Sequence, residues 1–130
     1  MDKPIVVVNA DQEQCRELCA MLEREHYRTT AMHSLVHLES NIQGSGCRVV
    51  ILDLDNPHVD NRFIMNLRRR NPGVRIIGLS SRPFHPELEE AMSTHMICAC
   101  LSKPVDSEEL IYCLKSFGEE DPPCGSDGPS

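Results

Sequence analysis

The chain has 130 residues, 40% hydrophobic and 25% charged, a size and composition that fit one globular domain. Its net charge of −7 opposes nonspecific binding to nucleic acid, and no stretch is long and apolar enough to cross a bilayer. Met1-Asp-Lys-Pro4 lacks the apolar core of a signal peptide, so the seven cysteines read as reduced thiols of a cytoplasmic protein, not as a disulfide frame.

Taken in order, Pro4-Ile-Val-Val-Val-Asn9 is a short apolar run of strand type. Cys15, Leu18, Cys19 and Leu22 then recur at i, i+3, i+4, i+7, predicting an amphipathic helix over about 12–25 with Asp11 as its N-cap. Tyr27 to Met32 has the β-branched and aromatic content of a strand. Ser34 caps a predicted helix from Leu35 to about Gln43, closed by Gly44-Ser-Gly46. The strand at 48–53 follows: Val49 to Leu52 run unbroken, then meet Asp53, with Asp55 and Pro57 behind it. Such a run reads as a strand buried on both faces.

After Pro57 a helix carries Phe63, Ile64 and Leu67 and ends in Arg68-Arg-Arg70 before Asn71-Pro-Gly73. Val74 to Ser80 is a fourth strand, 83–94 a poorer helix broken early by Pro86, and Met96 to Leu101 a fifth strand. Asp106 and Glu109 open a last helix with Leu110, Leu114 and Phe117 inward. Strand and helix alternate five times, which predicts an α/β fold: a five-stranded parallel sheet, doubly wound, with right-handed crossovers. The domain is expected to span 1–117. Residues 118–130, acidic and rich in Pro and Gly, read as a disordered tail or truncated linker.

In that architecture the carboxyl ends of the strands share a rim where ligands bind. Asn9-Ala10-Asp11, Asp53, Ser80 and Lys103 fall on it. A carboxylate can form an aspartyl phosphate, a hydroxyl can donate to a phosphoryl oxygen, and a lysine can pair with it. Other patterns are weaker. His33 and His37 have helical metal-pair spacing without a third ligand, Cys98 and Cys100 would need two more ligands for zinc, and Arg68-Arg-Arg70 reads as a solvated helix end. No glycine-rich phosphate loop follows the first strand, which weighs against a dinucleotide or flavodoxin-like small-molecule enzyme.

The residues Val49-Val-Ile-Leu-Asp53 with Pro57, Ile76-Ile-Gly-Leu-Ser80-Ser81 and Lys103-Pro104 resemble the response-regulator receiver domains of two-component signalling. The resemblance covers about residues 3–117 and implies the flavodoxin-like (βα)5 receiver fold. It also implies a non-enzymatic phosphoacceptor domain in the cytoplasm. Asp53 would be the phosphoacceptor, Ser80 the switch hydroxyl and Lys103 the phosphoryl-contacting lysine. The implied partners are a histidine kinase or phosphotransfer protein and a downstream effector domain, a transcriptional one by expectation, with a homodimer through the 82–115 face and no direct binding of nucleic acid or membrane. The alternative is a degenerate receiver that binds partners without phosphorylation.

Three departures bear on this. The family's acidic pair after the first strand, which helps hold Mg²⁺, is replaced by Asn9 and Ala10. Losing a carboxylate about 4 Å from a cation forfeits roughly 4 kcal/mol per unit-charge pair at an effective dielectric of 20. Weak Mg²⁺ binding is therefore expected, through Asp53 and the backbone carbonyl of Asp55, with Asn9 or Asp11 helping through water. Cys100 stands where the family has an aromatic switch residue, and Asn61 where it has a glycine, a position Asn could fill in the left-handed region.

Overall fold

In the computed structural model residues 4–120 are described, with side chains for residues 4–117. The elements run β1 (Ile5–Val8), α1 (Gln12–Arg24), β2 (Thr29–Met32), α2 (Leu38–Ser45), β3 (Val49–Asp53), α3 (Asn61–Arg70) and β4 (Arg75–Ser80). A 3₁₀ turn at Pro86–Leu88 leads into α4 (Glu89–Ser93), then β5 (Ala99–Ser102) and α5 (Ser107–Glu120). All strand pairs are parallel, in the order β2-β1-β3-β4-β5, so the expected five-stranded doubly wound sheet is present.

The alternation of the strands sends side chains to two cores. Val6, Val8, Val50, Leu52 and Ile76 pack against α2, α3, the 3₁₀ turn and α4 through Leu38, Ile42, Ile64, Leu67, Leu88 and Ala91. Ile5, Val7, Ile51, Ile77, Leu79 and Leu101 pack against α1 and α5 through Cys15, Leu18, Leu22, Leu110 and Leu114. Each such burial contributes roughly 1.5–3 kcal/mol, and the central strands carry most of them. β2 and β5, at the edges, are only partly covered. Gly78 in β4 is set by the residue opposite: an added Cβ would lie 2.4 Å from Cδ1 and 2.8 Å from Cγ of the fully buried Leu54.

Several local expectations change. Asp11 caps α1 as expected, accepting from Glu13 N and Gln14 N. Ser34 does not cap α2: its hydroxyl accepts from Val36 N, and the helix starts later, after His37. Gly44 lies inside α2, and Gly46 closes it with φ 69°. The helix over 83–94 contracts to a 3₁₀ turn and a five-residue helix, because Pro83 and Pro86 cannot donate helical hydrogen bonds. Asn61 is not left-handed. It is the first residue of α3, and its Oδ1 accepts from Ala91 N at 2.8 Å, tying α3 to α4. α5 runs on to Glu120, past the expected boundary at 117; the remainder of the expected tail lies outside the described residues.

Candidate functional site

The rim at the carboxyl ends of the strands is assembled by ladder hydrogen bonds that run past the strands themselves. Leu54 N donates to Leu79 O at 2.8 Å, and Lys103 N donates to Ser80 O at 3.0 Å. The first bond fixes the acid loop after β3 to β4, and the second brings the residue after β5 level with it. The Lys103–Pro104 peptide is cis. Lys103 Nζ lies 2.8 Å from Asp53 Oδ1 and 3.0 Å from Asp55 Oδ2, so one ammonium serves two carboxylates. The three side chains are 14–23% exposed. Asp53 Oδ1 also accepts from Asp55 N at 3.0 Å, an Asx turn that folds Asp55 back toward its neighbour.

The Asp55 carboxylate holds more than Lys103. Oδ2 accepts from Ser81 N at 3.1 Å and Ser81 Oγ at 2.8 Å, and Oδ1 lies 3.4 Å from Ser81 N, 3.8 Å from Arg82 Nε and 3.9 Å from His85 Nε2. Burial pushes the Asp55 carboxyl up, but the hydrogen bonds from Lys103 and Ser81, with the lysine's charge, outweigh it and hold the group below its ordinary value. Burial alone would lower Lys103, and its bonds to Asp53 and Asp55 raise it instead.

Ser80 faces the other way. Its Oγ, 5% exposed with its residue, donates to Arg82 O at 2.7 Å, accepts from Arg82 N at 3.0 Å and meets Nε2 of the buried His85. Arg82 Nη2 approaches His85 Nδ1 at 2.7 Å. Glu87 Oε2 stands 3.3 Å from the same ring nitrogen. Arg82 Nη2 also reaches Glu87 Oε2 at 2.7 Å. Ser80 is thus bound into the β4–α4 loop, and the hydroxyl that meets the acid pair is that of Ser81.

The corner after β1 is committed too. Asn9 is buried; its Oδ1 accepts from Asp11 N, its Nδ2 donates to Gln14, and its carbonyl faces His33 Nδ1 at 3.0 Å. Asp11 is engaged as the α1 cap. Asn9 Oδ1 and Asp11 Oδ1, which could join Asp53 and the Asp55 carbonyl around Mg²⁺, are therefore tied to backbone donors, and Lys103 stands between the two acids. This set does not fit a divalent cation without rearrangement, and among the described residues no three His, Cys, Asp or Glu side chains are grouped to hold a metal ion. Cys100 lies exposed on the edge strand β5.

A cavity of about 620 Å³ opens beside the acid pair, lined by Asn9, Gln14, Met21, Ser81, Lys103 and Val105. Sequence reasoning placed Asp53, Ser80 and Lys103 on this rim. It missed the Asp55 carboxylate, taking only its backbone carbonyl, and missed Arg82 and His85. The spacing of two residues between Asp53 and Asp55 at a strand end, where an Asx turn can fold the second acid back, was the available signal.

The family model described as response regulator receiver domain matches residues 5–115. No curated protein matches the chain by sequence. Among solved structures, a CheY-like response regulator receiver domain protein from Methanospirillum hungatei JF-1 superposes with a TM-score of 0.81 at 18% identity, covering 92% of this chain and 96% of that one. The signal receiver domain of an HD domain-containing protein from Pseudomonas fluorescens Pf-5 gives 0.82 at 20%, covering 92% and 97%. A response regulator signal receiver domain from Bermanella marisrubri gives 0.75 at 23%, covering 89% and 98%. At these identities the structural likeness speaks for the fold.

Proposed function

The chain belongs to the response regulator receiver domain family, and from that premise we propose that it accepts a phosphoryl group on Asp53 from a histidine kinase or phosphotransfer protein and relays the signal to an effector domain. The observation that carries this reading is the Asp53–Lys103 contact of 2.8 Å at the ligand-binding rim. In the transfer, a P–N bond to the donor imidazole breaks and a P–O bond to Asp53 forms, through the oxygen outside the Oδ1 bonds, with Lys103 neutralising charge on the phosphoryl oxygens. The cavity beside Lys103 gives room for the donor side chain. Ser80 would have to leave Arg82 and His85 to join it.

In this reading residues 1–117 form the receiver and 118–130 lead toward a transcriptional effector. The chain works in the cytoplasm as a phosphoacceptor rather than an enzyme, its 82–115 face serves as a dimer surface, and the effector, not this domain, meets nucleic acid. The committed oxygens of Asn9 and Asp11 favour a second reading, a receiver that binds partners without phosphorylation. Titration with beryllofluoride and Mg²⁺, followed by amide NMR, separates the two. Saturable shifts centred on Asp53 and Lys103 support the first; an unresponsive spectrum at millimolar Mg²⁺ supports the second.

A further inference from the structure

The Asp55 carboxylate is surrounded by donors from two other segments of the chain. Ser81 supplies both its backbone N–H and its hydroxyl, and Lys103 its ammonium, all within 3.1 Å of Oδ2; Arg82 and His85 stand within 4 Å of Oδ1. A backbone N–H, a hydroxyl and an ammonium converging on one point form an oxyanion seat, since each prefers a charged acceptor. The seat lies at the end of β4 and β5, while the anion arrives from the β3 loop. Its occupant is therefore a tethered ligand and not part of the seat's own framework.

We propose that Asp55 is an internal anion filling a seat built by Ser81 N–H, Ser81 Oγ and Lys103 Nζ, and that removing its carboxylate opens a binding site for a small oxyanion. The seat borders Asp53 through the shared Lys103. Filled from within, it holds Ser81 and the first residues of the β4–α4 loop in place with no phosphoryl group present. Charge added at Asp53 would compete for the same ammonium and loosen that hold. This deepens the reading of the site given above, but the occupancy of the seat does not depend on Asp53 ever being phosphorylated.

The test is an NMR titration of Asp55→Ala and wild type with sodium acetate and, separately, inorganic phosphate, at constant ionic strength and without Mg²⁺ or beryllofluoride. In Asp55→Ala the Ser81 amide should shift saturably, toward its wild-type position with acetate, with an apparent affinity at least tenfold above any response in wild type. Adding Lys103→Met should abolish the response. Asp55→Ser carries the same titration if the alanine variant gives a poorly dispersed spectrum. A Ser81 amide that does not respond in either variant, or that responds equally in wild type, overturns the proposal. Because beryllofluoride is absent, a domain that never takes a phosphoryl group would still give the expected result.

Discussion

Replacing Lys103 by methionine keeps most of the side chain's length and removes its charge. The wild-type ammonium bridges two carboxylates at 2.8 and 3.0 Å, each less than a quarter exposed. At an effective dielectric of about 20, one such pair is worth roughly 5–6 kcal/mol before desolvation is subtracted. Fully exposed pairs contribute about 0–1 kcal/mol, and breaking a buried pair by removing one partner costs about 3–5 kcal/mol. These side chains lie between those limits, so Lys103→Met should destabilise the domain by about 2–4 kcal/mol at pH 7, read as a lower urea midpoint with an unchanged slope. The loss should depend on pH. Lys103 is raised in the fold, so its contribution is complete below its unfolded value, about 10.4, and is lost as pH rises through the folded value. Asp55 is lowered, so its contribution is present above its unfolded value, about 3.9, and is lost as pH falls through the folded one. The gap between wild type and variant should therefore be widest between about pH 4 and pH 10 and narrow on the acid side. A loss under about 0.5 kcal/mol at pH 7, or one that does not change with pH, would refute the reasoning, since either means that solvent already screens the pair.

Asp11→Ala removes the oxygen that accepts from Glu13 N and Gln14 N, and should lower stability by about 0.5–2 kcal/mol in urea unfolding, with faster amide exchange in the first turn of α1. Asn61→Ala deletes the acceptor for Ala91 N, leaving the amide of the one buried residue of α4 without that partner; a cost of about 1–3 kcal/mol and faster exchange at Ala91 are expected. Iodoacetamide at pH 7.5 should modify exposed Cys100, although burial and Asp55 push its thiol up, well before Cys15, which has no exposed surface and whose thiol burial, helped by Cys19, pushes up to about 11; mass spectrometry of tryptic peptides gives the order.

Much of the site was legible because a parallel sheet turns strand order into geometry. Once Val49–Leu52 and Ile76–Leu79 read as buried strands, Asp53 and the residues after Leu79 had to meet at one edge. Lys103 followed from the fifth strand in the same way, although that strand starts at Ala99 and not at Met96. The adjacent hydroxyls Ser80 and Ser81 were not separable from sequence. Neighbouring residues at a strand end point to opposite sides, and only the β4–α4 loop decides which side meets the acids. That loop was the least legible stretch, since Pro83 and Pro86 break the helical period and leave no pattern that marks His85 as buried. The replacement of an acidic pair by Asn9 and Ala10 was visible in the sequence. The engagement of Asn9 Oδ1 by Asp11 N and of Asp11 Oδ1 by the first turn of α1 was not, because it depends on where the helix cap falls.

Leu54, set between the two acids and facing Gly78, touches none of the chemistry, yet it restricts how this sequence can drift. Acquiring any side chain at 78 drives a Cβ into Leu54 at both Cγ and Cδ1, so turning the terminal methyls alone does not clear it. Shrinking Leu54 first opens a hole worth about 2–5 kcal/mol, a large share of the roughly 5–15 kcal/mol that holds a domain together. The two positions are therefore epistatic: each blocks change in the other, and a lineage leaving this pair must cross a valley of unstable intermediates or change both at once. An apolar residue outside the polar contacts of the rim is thereby held in place by packing alone.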